Sequence, residues 1–155
     1  MNIRPITPNE FQQAAEIVRI SFDHRSAQDQ GEDGQHIFRV FSSAEAIQKR
    51  FDEGCLSLVA ERKVGDECQL VGFIQVKQNH LLLFFVLPEF QGQGIARALF
   101  NAADLAQPIL TVNSSPNAEA IYARLGFVLS HPEPENSPIR HTPMKRVDIS
   151  AVDSC

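Results

Sequence analysis

A chain of 155 residues, 43% of them hydrophobic, suffices for one domain around a single core. A formal charge of −5 without any Lys/Arg run makes nucleic acid a poor partner, while an acidic surface suits a cationic amine. No apolar stretch is long enough to span a membrane and "MNIRPITPNEF" lacks a signal peptide's apolar run, so the expected compartment is the cytoplasm. Cys55, Cys68 and Cys155 are odd in number and scattered, with no CxxC pair, so neither a disulfide framework nor a zinc site is expected.

The first four residues read as a short strand, and Thr7-Pro8-Asn9-Glu10 as a capping box with proline at the first helical position. Phe11, Ala14, Ala15, Val18 and Phe22 recur at helical spacing and carry this helix to about Phe22. The polar stretch "DHRSAQDQGEDGQH" reads as a long loop or a broken helix. Ser42 with Glu45 marks the next helix start, Ile47 and Phe51 its buried face, and Gly54 its stop. Strands follow at 56–60, 69–78 and 81–87, with connections short enough to imply an antiparallel meander. The last of them, apolar on both faces, should be central and covered on both sides. A helix from Gln93 to about Ala106, with Ile95, Leu99, Ala102, Ala103 and Ala106 as its inner stripe, leads to "ILTV" (109–112). A strand–helix–strand unit of that length should be parallel with a right-handed crossover. Ser115-Pro116 opens another helix, which Gly126 ends, and "FVLS" and "IRHTPMKRV" complete the sheet around a proline-rich loop. Residues 1–147 are expected to be a single domain and 148–155 a disordered tail.

The start of the helix at 93 is unusual. The first turn of a helix leaves backbone N–H groups unpaired and carries partial positive charge, so Asp or Glu commonly sits there. Here the chain reads Gln91-Gly92-Gln93-Gly94-Ile95-Ala96-Arg97, with no acid. An anion from outside is the natural partner, since glycines admit a phosphate to the backbone and Arg97 adds a cation. A tight strand-to-helix turn with no ligand is the alternative. The chain has no Gly-Lys-Ser/Thr, so this is not a Walker loop. A dinucleotide fingerprint needs a small residue where Arg97 stands and an acid where Asn113 stands.

Gln91, Gly94 and Ala96, after an apolar strand ending "FFV-x-P", match a Q/R-x-x-G-x-G/A signature. Ala118, Tyr122, Gly126 and Phe127 in "SPNAEAIYARLGF" match a second, with Ser115 in the slot of its asparagine. On both motifs and the order of elements from residue 1 to about 147, the chain resembles the GNAT family of acetyl-CoA-dependent N-acetyltransferases. The resemblance implies an α/β (α+β) fold: a mixed, mostly antiparallel central sheet of about six or seven strands with about four helices, and a splayed parallel strand pair at the cofactor site. It implies acetyl-CoA as cofactor and direct attack by a primary amine in a ternary complex.

Residue by residue, the resemblance implies that the pyrophosphate sits on the loop of Gln91, Gly92, Gln93, Gly94, Ile95, Ala96 and Arg97. The pantetheine arm would pair with backbone at Phe84, Phe85 and Val86 beside a bulge, one of those amides polarising the thioester carbonyl. Asn113, Ser115 and Asn117 would hydrogen-bond the cofactor, with Ser115 alternatively a plain N-cap. Tyr122 matches the family's acid for the leaving thiolate, its ordinary pKa of about 10 lying above a thiol's, about 8.5; the alternative is a core aromatic. Counting back six residues from Val86 gives His80, where histone-type members carry a catalytic glutamate. It is the candidate base, or else a polar residue ending a turn. His24 and His36, with Asp29, Glu32 and Asp33, are weaker candidates for gripping an amine, and Arg140 for binding a carboxylate. The acceptor pocket falls to the first helices and the 23–41 loop, where no motif identifies the amine. A homodimer, common in the family, is not readable here. A non-catalytic acyl-CoA sensor or regulatory module stays open as the reading from another class.

Overall fold

The structure is a computed structural model that describes residues 1–147; the tail expected to be disordered, 148–155, lies outside the described residues. Seven strands form one sheet: β1 (Asn2–Pro5), β2 (Leu56–Val64), β3 (Glu67–Lys77), β4 (His80–Val86), β5 (Thr111–Ser114), β6 (Phe127–Leu129) and β7 (Thr142–Arg146). Their spatial order is β1-β2-β3-β4-β5-β7-β6, antiparallel throughout except for the β4–β5 pair. Turns at Gly65-Asp66 and Gln78-Asn79 fold β2, β3 and β4 into the expected meander.

Among the described residues there are five α-helices: α1 (Phe11–Ser21), α2 (Glu32–Phe41), α3 (Ala44–Asp52), α4 (Ile95–Ala106) and α5 (Glu119–Arg124). Helices α1 and α3 bury Ala14, Val18 and Ile47 on one face of the sheet, against Val59, Phe73 and Leu83. On the other face, α4 buries Ile95, Leu99, Phe100 and Ala103 against Ile74, Val76 and Leu81. Strand β4 lies between these layers and contributes to both, which is why its sequence is apolar without alternation.

Two stretches differ from the sequence reading. The 23–41 segment is helical through most of its length: a π turn at Phe22–Ser26, a 3-10 turn at Ala27–Asp29, then α2. Its polar composition hides this, because one ring does much of the packing: Phe38 stacks on Phe22 at 4.2 Å and meets Phe85 edge-on at 5.8 Å. The cap of α3 is Ser43, whose Oγ accepts from the Ala46 N–H at 3.2 Å, whereas Ser42 donates back to the Phe38 carbonyl. Serine can cap forward or bond backward, and composition alone does not distinguish the two.

One ion cluster ties β1 to its surroundings. Arg4 donates to both oxygens of Glu10 (2.9 and 2.7 Å) and also reaches Glu61. The Arg4 hydrogen bond, foremost, holds the Glu10 carboxyl down from the ordinary 4.5 to about 2. A depressed carboxyl stabilises the fold above its unfolded pKa and loses that contribution as pH falls through the folded one. Glu10→Gln is therefore expected to cost roughly 2 kcal/mol at pH 7, a deficit that closes as pH drops from about 4.5 towards 2. Urea unfolding across that range checks it; a deficit independent of pH would contradict the assignment.

Candidate active site

The parallel pair at the centre of the sheet is short. β4 and β5 are in register only at His80↔Thr111 and Leu81↔Val112. Beyond that point β5 stays with β7, through Asn113↔Pro143 and Ser114↔Thr142, while β4 runs on to Val86 with no strand on that side. On its other side β4 slips register between Gln75 and Val76, leaving Leu82 unopposed as a bulge. The Leu87 N–H donates to the Val71 carbonyl at 2.8 Å. By the alternation of an antiparallel ladder, Phe85 is then bonded to β3, while the backbone groups of Phe84 and Val86 face the open side.

That parity corrects one expectation. The peptide groups of Phe85 belong to the β3 ladder and its ring lies on the α1 face against Phe38, so only Phe84 and Val86 line the split. A motif can name the strand, but the pleat decides which residues of it are available.

The turn after β4 leads into α4 at Ile95, two residues later than the sequence suggests. Gly94 is its N-cap in the left-handed region (φ +83°), no side chain caps the helix, and its first turn holds no acid. The first intrahelical bond is Ala98 N–H to the Gly94 carbonyl, so the amides of Ile95, Ala96 and Arg97 lack helical acceptors. A Cβ on Gly92 or Gly94 would meet nothing within 4 Å, so the space before these amides is open. Arg97 is exposed beside it.

The two glutamines of the turn have partners inside the protein. Gln91 Nε2 donates to the Val86 carbonyl at 3.0 Å, and Gln93 Oε1 accepts from Arg62. Arg62, on β2, also lies 5.9 Å from the Phe90 ring centroid, which brings a second cation beside the acid-free helix start. The sequence reading missed it. No local signal exists for a contact spanning 31 positions, because only the register of β2 in the sheet creates it.

Tyr122 reaches the same region from α5. It is 8% exposed, with ring centroids 6.4 Å from Phe84 and 5.7 Å from Phe127. No hydrogen bond ties its hydroxyl among the described residues. Burial pushes the phenol pKa well above its ordinary 10, so the group stays protonated at neutral pH. Ser115 occupies the N-cap position of the turn before α5, yet its hydroxyl donates to Asn117 Oδ1 at 2.8 Å and caps no amide. Asn113 is exposed on β5.

His80 is not brought to this region. It sits where β4 and β5 are still paired, its Nδ1 2.7 Å from Thr111 Oγ1, and burial pushes its pKa down. Six residues of strand, at about 3.3 Å each, separate it from Val86 by roughly 20 Å. The split opens only after Leu81, so the first residue of β4 lies at its closed end. His24, His36, Glu32 and Asp33 are exposed and Asp29 is half-buried. Arg140 is paired with Glu133 at 2.9 Å. Among the described residues, no group of three His, Cys, Asp or Glu side chains could hold a metal, and no helix is long and apolar enough to cross a membrane.

Comparison with known proteins agrees with this geometry. The profile of the Acetyltransferase (GNAT) domain matches residues 26–147. Among solved structures, the chain is similar to the GCN5-related N-acetyltransferase from Rhodopseudomonas palustris, at 24% identity over 95% of each chain and a TM-score of 0.76. It is similar to the PaiA N-acetyltransferase of Thermoplasma acidophilum in complex with coenzyme A, at 19% identity over 95% of this chain and 98% of that one, TM-score 0.72. An aminoglycoside 6'-N-acetyltransferase complexed with coenzyme A aligns at 15% identity over 94% of each chain, TM-score 0.62. No curated protein sequence matches the chain. With a split parallel pair, an uncapped glycine helix start and a domain match over most of its length, the chain belongs to the acetyltransferase (GNAT) family, whose acyl donor is acetyl-CoA.

Proposed function

We propose that this protein is an N-acetyltransferase that moves the acetyl group of acetyl-CoA to a primary amine by direct attack in a ternary complex, with residues 1–147 acting as one domain. The observation that carries this reading is the split itself: a β4 edge with no strand beside Phe84 and Val86 that leads straight to an acid-free helix start flanked by Arg62 and Arg97. Those groups fit coenzyme A. The amides from Gly92 to Arg97 would hold its pyrophosphate, Phe84 and Val86 its amide-bearing arm, and Asn113 and Asn117 would approach from the β5 side. When bound, acetyl-CoA supplies a thioester activated towards nucleophiles.

The chain's own residues supply the rest. An N–H of the free β4 edge, from Phe84 or Val86, donates to the carbonyl oxygen on which negative charge develops. Tyr122, kept neutral by burial, gives a proton to the departing sulfur. Phe84 and Phe127, packed around its ring, limit water at that point. With His80 at the closed end of the strand pair, the acceptor reacts as its deprotonated fraction and its proton passes to solvent. His80→Ala is thus expected to leave the shape of the pH–rate profile unchanged, the rate still rising towards the amine's own pKa. Loss of rate confined to low pH in that variant would restore His80 as the base.

The deciding experiment is a screen of amines with acetyl-CoA and detection of released thiol. Thiol release dependent on an amine supports the enzyme. Acetyl-CoA binding without release for any amine supports an acyl-CoA sensor instead.

A further inference from the structure

The open end of the split is crossed by a segment that belongs to neither sequence motif. It leaves α1 at Ser21, whose buried Oγ donates to the Ile17 carbonyl at 2.7 Å and lies 3.1 Å from the Val86 carbonyl at the end of β4. It continues through the π turn to Ser26, whose Oγ lies 3.4 Å from Asn117 Oδ1, just past the end of β5. It then reaches Gln30, only 7% exposed, whose carboxamide is used twice on the backbone of one residue. Nε2 donates to the Arg140 carbonyl at 2.8 Å and Oε1 accepts the Arg140 N–H at 2.7 Å, two positions before β7. The anchors therefore fall on β4, on the turn after β5 and on the approach to β7, so residues 21–30 run from one lip of the split to the other.

The last anchor is built tightly. A Cβ on Gly34 would come within 2.8 Å of both Gln30 Oε1 and the Pro138 carbonyl, so α2 can close on this junction only with glycine there. Gln35 Nε2 holds the segment from behind, donating to the carbonyls of Ala27 (2.9 Å) and Gln30 (3.2 Å). A π turn within such a segment is itself a rarity that clusters at functional sites. A carboxamide donates and accepts at once from adjacent atoms, which suits glutamine to bridging the N–H and carbonyl of one residue at this position.

We propose that residues 21–30 are a strap over the donor site and that Gln30 is a positioning residue, fastening the strap and so setting how long coenzyme A is retained. The proposal rests on the reading of the split as the donor site. A ligand lying in the split has to leave past the strap or wait for its anchors to part, so weakening the fastening speeds departure.

The test uses coenzyme A itself as probe, with stopped-flow dissociation and amide hydrogen exchange of the ligand-free protein. Gln30→Ala removes both hydrogen bonds. It is expected to raise the coenzyme A dissociation rate and the exchange rate of the Arg140 amide, each about tenfold, with the association rate little changed. Gln30→Glu keeps the acceptor for the Arg140 N–H but loses the donor, and should fall between Gln30→Ala and wild type. Should Gln30→Ala fail to fold, Gln30→Glu and Ser26→Ala, which removes the middle anchor, carry the test with the same sign. Faster Arg140 exchange with dissociation within twofold of wild type overturns the strap as a retaining element. Unchanged Arg140 exchange overturns Gln30 as its fastener. A wild-type protein that binds no coenzyme A overturns the donor-site reading and the strap together, an outcome distinct from the other two.

Discussion

Gly94→Glu is expected to weaken acetyl-CoA binding by about 100-fold or more while the protein remains folded. The substitution places a carboxylate before the amides of Ile95, Ala96 and Arg97, in space that is open in the structure and where a phosphate would lie. It replaces charge-assisted hydrogen bonds with repulsion, and such bonds are worth roughly 1.5–3 kcal/mol each. The fold has less to lose. No neighbour lies within 4 Å of the new Cβ, so the cost is that of a non-glycine residue at φ +83°, about 1–2 kcal/mol. An acid at a helix start is itself electrostatically favourable, which offsets part of that. Gly94→Ala separates the two effects, because it carries the same backbone strain without the charge. Calorimetric affinity and thermal midpoints of both variants should show a similar loss of stability but a much larger loss of binding for glutamate. Wild-type affinity in a folded Gly94→Glu protein would rule out this helix start as the phosphate site.

Tyr122→Phe is expected to lower turnover by ~10²–10⁴-fold, the usual worth of a positioned acid or base, with acetyl-CoA affinity intact. The ring contacts with Phe84 and Phe127 survive the change, and the hydroxyl holds no protein partner among the described residues, so the fold should lose little. That makes a kinetic loss diagnostic. A proton given to sulfur stabilises only the transition state, so kcat and kcat/KM should fall together. The sign of the pKa shift adds a second check. Burial raises the phenol's pKa, so the protonated form persists through mildly alkaline pH. The wild-type rate should therefore show no loss near pH 9 to 10 from ionisation of this group. Wild-type kinetics in the variant, with the chemical step rate-limiting, would leave Tyr122 as a core aromatic.

Much of this molecule was legible before any coordinates. The apolar run of β4, the acid-free turn with Gly92 and Gly94, and the spacing of Ala118, Tyr122, Gly126 and Phe127 are local patterns. Local patterns specify strands, caps and helix faces because backbone geometry repeats at short range. The same patterns carried the family resemblance, and with it the parallel strand pair and the donor. They do not settle the part played by two residues, Phe85 and His80. Both lie on the correct strand, but the availability of a strand residue depends on which pleat faces the gap and on where the gap begins. Both depend on hydrogen bonds to other strands: Leu87 to Val71, and the pairing of β4 with β5 that ends at Leu81 and Val112.

The residues that sequence reading missed have one property in common, distance along the chain. Arg62 meets Gln93 across 31 positions, and Gln30 meets Arg140 across 110. Neither leaves a periodicity, a spacing or a composition to detect; Arg62 reads as a polar residue in the connection between two strands, Gln30 as one more polar residue in a loop. Sequence by itself determined most of the elements, the acid-free helix start, and the single tyrosine placed on its helix, because each is decided within a few residues by propensity and capping. Only the tertiary structure decided which side of β4 is open, which arginine joins the helix start, and what crosses the mouth of the split. Those are set by strand register and by buried polar pairs between distant segments, where a carboxamide such as that of Gln30 finds both its partners only once the chain has folded.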